Sequence, residues 1–209
     1  NLTNSPENND GFKTQTYIVT LNESGNKILG SDIDSDIKDL LSKHNIKFEA
    51  VQHIYTTVLR GFAANLTDEQ VAKLQSDKRV ALIEKDMEIT INDKIESISN
   101  DKGVKLQAQS IPWGINAIGG YVNATTSTGV AWIVDTGIDL THADLNVNTT
   151  LSKTFITSGD DRLSANDLNG HGTHCAGIVA AKNNDIGSVG VCAGATLIAV
   201  KVLNYRGSG

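Results

Sequence analysis

Cysteine is nearly absent from this chain. Cys175 and Cys192 are the only two in 209 residues, too few for a disulfide scaffold. Free buried thiols are the expectation, with one bridge as the alternative. Basic runs are absent as well: 18 Lys and Arg stand against 24 Asp and Glu, for a net charge of −6. That balance argues against a nucleic-acid partner. No apolar stretch approaches the roughly 20 residues that cross a bilayer as a helix, so no membrane span is expected. The opening "NLTNSPENND" has no initial methionine, and a native start with a signal peptide is expected upstream. What is present in quantity is apolar residue content, 39%, enough for a packed core. Asn-x-Ser/Thr triplets at Asn1, Asn22, Asn65, Asn123 and Asn148 favour a secretory route.

Periodicity divides the chain into blocks. Residues 1–15 read as a disordered lead. "TYIVTLN" (16–22) reads as a strand, followed by a polar turn at Gly25 and Gly30. "SDIDSDIKDLLSKHN" (31–45) sets Ile33, Ile37, Leu40 and Leu41 on one helical face. Residues 47–66 are β-rich and broken at Gly61, predicting two strands. Thr67 with Gln70 forms a capping-box pattern ahead of a second helix, and "VALIEKD" (80–86) closes the block as a strand. The order β-α-β-β-α-β predicts a ferredoxin-like domain over 16–86. His44 complements the helix dipole, and His53 is read as a bystander. Residues 87–107 are polar and read as an exposed, cleavable linker.

The texture then changes to that of an α/β sheet. "TGVAWIVDTG" (128–137) and "GATLIAVKVL" (194–203) are near-continuous apolar runs, the pattern of parallel strands buried on both faces. A helix from about His171 lies between them, giving a right-handed βαβ crossover. In such sheets, sites gather beyond the carboxyl ends of the strands, where Asp135 falls. "NGHGTHCAGIVAA" (169–181) places His171 between two glycines, which would let a substrate backbone approach the imidazole. An Asp that accepts the Nδ1–H of a His fixes its tautomer and stabilises the imidazolium, which is half of a nucleophilic triad. Two other readings stand beside this one. His171 and His174 share a helix face and could hold a metal with Cys175, or the stretch is only a Gly-rich helix start.

"AWIVDTGIDLTHADL" followed by "NGHGTHCAGIVAA" resembles the subtilisin-like serine proteases in order, spacing and context. The resemblance implies Asp135 as the orienting acid, His171 as the general base and His174 as a structural histidine. It implies that 16–86 is an inhibitory propeptide, that 87–107 carries the maturation site, with Gln107–Ala108 the natural candidate bond, and that 108–209 is the amino-terminal half of the catalytic domain. It further implies a structural calcium ion held by Gln109, Asp144 and Asn184 with the carbonyls of Lys182, Ile186 and Ser188, a hard-oxygen set. Gly207, Ser208 and Gly209 would take an extended peptide by strand addition beside an apolar subsite at Leu203. Cys175 would lie beneath the catalytic histidine, open to mercurials, while Cys192 departs from the family's alanine.

The expected fold is thus α/β with an α+β ferredoxin-like propeptide, and the expected protein a secreted, monomeric endopeptidase zymogen. Its partners would be peptide substrates and its own propeptide. The family's Gly-Thr-Ser-Met-Ala nucleophile motif and oxyanion asparagine do not occur before Gly209, so the serine is expected beyond it and the 209-residue polypeptide is expected to be inactive. Ser208 lacks the glycine two residues upstream that a nucleophile elbow needs, and Ser188 belongs to the calcium loop. Block 108–209 alone is expected to be poorly stable, with unpaired strand edges. A stand-alone propeptide-type inhibitor or folding assistant, and a pseudoprotease, are the alternative functions.

Overall fold

Residues 13–22, 33–91 and 108–209 are described in the computed structural model of the chain, which divides into two units, Asn1–Met87 and Glu88–Gly209. In the first unit, β1 (Gln15–Leu21), α1 (Ile33–Lys43), β2 (Val51–Tyr55), β3 (Gly61–Leu66), α2 (Asp68–Gln75) and β4 (Val80–Lys85) follow one another. The strands pair antiparallel in the order β2-β3-β1-β4, the ferredoxin-like arrangement expected from the element order. Ile33, Ile37, Leu40 and Leu41 of α1 pack with Leu74 of α2 on Val19, Phe62 and Leu66. Thr67 and Gln70 close both bonds of the capping box at the start of α2.

Some expectations need adjustment here. Order begins before residue 16: Thr14 is buried and β1 starts at Gln15, while the rest of the 1–15 lead and the Gly25–Gly30 turn lie outside the described residues. His44 does more than face a helix dipole, since its Nε2 lies 3.0 Å from Asp77 Oδ2. Lys43 Nζ and the Arg79 guanidinium converge on the same buried carboxylate. Those donors, led by Arg79 and then Lys43, hold Asp77 far below the usual carboxylate range.

The second unit contains α3 (Trp113–Ala117), β5 (Val122–Asn123), β6 (Val130–Asp135), β7 (Asn146–Val147), β8 (Lys153–Thr154), α4 (His171–Ala180), β9 (Cys192–Ala193) and β10 (Thr196–Lys201). β10 is the central strand, parallel to β6, β7 and β8, and β5 pairs with β9. α4 packs against β6, β9 and β10 through Gly172, Ala176 and Ala180. Leu197, Ile198 and Ala199 of β10 are fully buried, as the apolar run predicts. β6 does not match that expectation. Val130, Trp132 and Val134 are 45%, 57% and 62% exposed. Among the described residues β6 is an edge strand, with only β10 beside it and α4 over one face. No helix of the described residues is long and apolar enough to cross a membrane.

Candidate active site

Parallel pairing of β6 with β10 sets Asp135 directly opposite Lys201 at the carboxyl end of the sheet. His171 opens α4, which returns over the same sheet, so its ring comes back to the strand end that Asp135 occupies. His171 Nδ1 lies 2.9 Å from Asp135 Oδ1 and 2.8 Å from Oδ2, with the two side chains 20% and 13% exposed. Thr136 N–H donates to Asp135 Oδ1 at 2.6 Å, and Val202 and Leu203 N–H hold the Asp135 carbonyl. A carboxylate fixed this way aims the imidazole, leaving Nε2 as the basic nitrogen. No described residue hydrogen-bonds to Nε2.

Asp167 builds the start of α4. Its Oδ1 accepts from Asn169 and Gly170 N–H, each at 2.9 Å, and from Thr136 Oγ1. Its Oδ2 accepts from Thr173 N–H and hydroxyl. Burial raises the Asp167 pKa, but the Gly170 and Thr173 donors outweigh it and leave the carboxyl below its ordinary value. The glycines around His171 serve this frame. Gly170 has φ +106°, a left-handed conformation that disfavours side chains. A Cβ on Gly172 would lie 2.1 Å from the Gly137 carbonyl oxygen, so its absence lets α4 touch β6.

The metal reading meets a different cluster from the one expected. Asp135, His171 and Cys175 have ligand atoms within 4.8 Å of one another, while exposed His174 lines a groove on the other side of α4. Cys175 Sγ lies 3.8 Å from His171 Nδ1. Burial, then the Asp135 charge, raises the Cys175 pKa and keeps it a thiol, a poor nucleophile and a poor ligand. Both cysteines are free, and Cys192 is exposed instead of buried, because short β9 lies at a sheet edge. The groove, of 1270 Å³, is lined by Trp113, Ile115, His142, His174 and Ile178 and by neither Asp135 nor His171.

The 207–209 segment carries a peptide strand. Ile89 N–H donates to the Gly209 carbonyl at 2.8 Å, Gly209 N–H to the Ile89 carbonyl at 3.0 Å, and Ile91 N–H to the Gly207 carbonyl at 2.9 Å. Thr90 and Ser208 face each other, with their hydroxyls 3.0 Å apart. Residues 88–91, expected in an exposed linker, are thus exposed at most side chains but paired along the backbone; the rest of the linker and Gln107 lie outside the described residues. Gly207 has φ +78°, and a Cβ there would meet Ile91 Cγ1 at 2.4 Å, so a side chain would strain the backbone and push Ile91 aside. Leu203 is buried, and its Cδ2 lies close under Gly209.

The residues expected at a cation also meet. Gln109 Nε2 donates to the Lys182 carbonyl at 2.8 Å, and Asn184 Nδ2 to Asp144 Oδ1 at 2.6 Å. Asn184 Oδ1 accepts from Ile186 N–H. Ala108 bridges Ile186, and Ser110 bridges Ser188. The donor chemistry is one carboxylate with amide and carbonyl oxygens, which fits a hard cation.

Sequence reasoning missed Thr136, Asp167, Asp161 and Lys201. Asp167 carried a signal, because Asp ahead of Asn-Gly and a helix is a capping pattern. Lys201 carried one too, as a single charge in "TLIAVK" that burial would force to find a partner.

Comparison with known proteins agrees with this geometry. Residues 126–209 match the subtilase family of peptidases, and residues 16–92 match peptidase inhibitor I9. M-protease of Shouchella clausii is 33% identical over 202 residues, covering 93% of this chain and 47% of the relative. An extracellular serine proteinase of a Thermus species is 36% identical over 168 residues, 76% of this chain and 36% of the relative. Subtilisin E of Bacillus subtilis is 38% identical over 154 residues, 70% of this chain and 35% of the relative. The chain spans half or less of the length of these curated relatives. Two family matches in this order, over the two units described, show that the chain belongs to the subtilase family and carries an inhibitor I9 domain ahead of its peptidase segment.

Proposed function

We propose that the protein is an extracellular serine endopeptidase made as a zymogen, with Asp135 and His171 as the acid and base of its triad. The observation that carries this reading is the two-oxygen contact of Asp135 with His171 Nδ1, at 2.8 and 2.9 Å. His171 Nε2 takes the proton of a seryl hydroxyl as that oxygen attacks the peptide carbonyl, and returns it to the leaving amine; Asp135 stabilises the imidazolium between the two steps. No described serine hydrogen-bonds to His171 Nε2, and the Ser208 hydroxyl faces that of Thr90, so the nucleophile is a further serine. Substrates are extended peptides that add a strand along Gly207–Gly209 beside Leu203, as residues 89–91 do. The same seat makes residues 16–91 an inhibitor in cis, since one strand excludes the other. An inhibitor-only role gives no account of the Asp135–His171 contact.

A calcium ion fits the Asp144 cluster, held by Gln109, Asp144 and Asn184 with the carbonyls of Lys182, Ile186 and Ser188. Its role there is structural. A half-turn of the Gln109 amide would bring its oxygen in place of the NH2 that now contacts Lys182, and Asn184 would exchange the Ile186 N–H on its Oδ1 for the ion. The test of the activity uses the complete gene product. It should cleave a casein substrate and be inactivated by a serine-directed phosphonate, and His171→Ala should lower kcat about 10⁴–10⁶-fold, a range that comes from subtilisins themselves. A product whose His171→Ala variant keeps its rate would overturn the proposal.

A further inference from the structure

Lys201 ends β10 fully buried, at 0% exposure, and Asp161 beside it is 3% exposed. The dyad does not use either residue. Lys201 Nζ donates to the Thr136 carbonyl and lies 2.8 Å from Asp161 Oδ1. That second contact is ionic, since Oδ1 has no well-aligned hydrogen-bond donor. Thr136 is the residue whose N–H fixes Asp135 Oδ1 and whose hydroxyl accepts from Gly172 N–H. Asp161 Oδ2 accepts from Tyr205 N–H at 3.1 Å, two residues ahead of the strand-docking segment. Tyr205 in turn accepts from Asn169 Nδ2 at 2.9 Å, and Asn169 Oδ1 accepts from His171 N–H.

We propose that the Asp161–Lys201 pair is a positioning unit that ties the peptide-docking strand at 207–209 to the Asp135–His171 dyad. This deepens the endopeptidase reading and rests on it for its meaning. Each charge of the pair holds one functional element by its backbone. Lys201 fixes the Thr136 carbonyl in the turn that follows Asp135, and Asp161 fixes the start of the loop that offers its backbone to the peptide. A buried ion pair is a weak source of stability, because desolvation cancels most of its attraction, and an apolar pair of similar volume holds a core as well or better. Its value here is directional. An ammonium and a carboxylate can each aim at two partners at once, which Met and Leu cannot.

The test is hydrogen exchange by NMR on the full chain, wild type against Asp161→Leu/Lys201→Met, with a urea melt of each. The double variant should melt at or above the wild-type midpoint. The His171 Nδ1–H and the Ile89, Ile91 and Gly209 amides should nonetheless exchange at least about tenfold faster, while β1 amides stay unchanged. If the variant does not fold, Asp161→Asn is read in the same way; it keeps size and an acceptor for Tyr205, and at least threefold faster exchange is expected at both Gly209 and His171. Exchange within twofold of wild type in a folded variant, or acceleration at only one of the two elements, overturns the proposal. These readouts involve no turnover, so a failure of the peptidase reading would show separately in the casein assay.

Discussion

Gly172→Ala tests whether the dyad depends on how closely α4 approaches β6. Helix propensity alone favours alanine over glycine inside a helix by about 1 kcal/mol, so a purely local account predicts stabilisation. The structure predicts the reverse. The new Cβ would stand 2.1 Å from the Gly137 carbonyl oxygen, where ordinary contact begins near 3.4 Å. Both partners are backbone, so α4 must retreat by about 1.3 Å, the difference of those distances. That shift would carry His171 Nδ1 from 2.8 Å to about 4 Å from Asp135 Oδ2, beyond hydrogen-bond range. Overpacking costs about 1–3 kcal/mol, and a lost hydrogen bond to a charged group about 1.5–3 kcal/mol. After the propensity gain, a net loss of about 1.5–5 kcal/mol is expected. Trp113 and Trp132, the chain's 2 tryptophans, both lie in the second unit, so urea unfolding followed by tryptophan fluorescence reads that unit alone. Gly177→Ala is the matched control in the same helix, with nothing within 4 Å of its Cβ, and should stabilise by about 0.5–1 kcal/mol. If both variants shift the midpoint upward alike, the close-approach argument is wrong.

Asp77→Asn should destabilise the first unit by about 3 kcal/mol, read by urea titration with circular dichroism. The native Asp77 pKa is depressed, so its contribution is complete above the ordinary carboxylate value of about 4 and declines as pH falls below it. That acid-side slope should shrink in the variant. Thr67→Ala, which removes one bond of the capping box, should cost about 1 kcal/mol in the same assay. Asp167→Ala should lower the second unit's stability by about 3 kcal/mol and speed exchange of the His171 Nδ1–H, since it removes the acceptor for Asn169, Gly170 and Thr173. Calcium at a hundredfold excess over its dissociation constant should stabilise the second unit by about 2.7 kcal/mol, and Asp144→Ala should abolish the gain. A calcium effect that survives Asp144→Ala would place the ion elsewhere.

Much of this architecture was legible because the residues involved obey local rules. α1 shows its apolar stripe at helical spacing, α2 announces its start with Thr67 and Gln70, and β10 reads as a buried strand because both of its faces are covered. Trp132 shows where such rules stop. Its apolar neighbours carry the same message as those of β10, yet among the described residues only β10 and α4 lie beside its strand, and it is 57% exposed. Whether a second layer covers an apolar run is a tertiary fact with no local signature. Gly172 was legible as important, but only the position of β6 shows what its missing side chain makes room for. Residues 89–91 look polar and unremarkable for a similar reason: backbone pairing with 207–209 uses no side-chain code.

The site itself rests on register. β6 and β10 are parallel, so their carboxyl ends lie together, and the pairing of Asp135 with Lys201 brings two opposite charges to one end of an apolar sheet. Side chains alternate faces along a strand, so a slip of one residue would send Asp135 to the opposite face, away from α4. It would also move the Thr136 carbonyl away from Lys201 Nζ, leaving that buried ammonium with Asp161 alone. The apolar pattern of β6 does not oppose such a slip by itself, because Val130, Trp132 and Val134 on one face and Ala131 and Ile133 on the other are all apolar. What opposes it is polar. Val202 and Leu203 N–H reach the Asp135 carbonyl, Lys201 reaches Thr136, and Gly172 N–H reaches the Thr136 hydroxyl. Each of these bonds exists in one register only. The groups that place the Asp135 carboxylate are therefore the same ones that select the pairing of the strand that carries it, and loosening them should disturb strand order and His171 together.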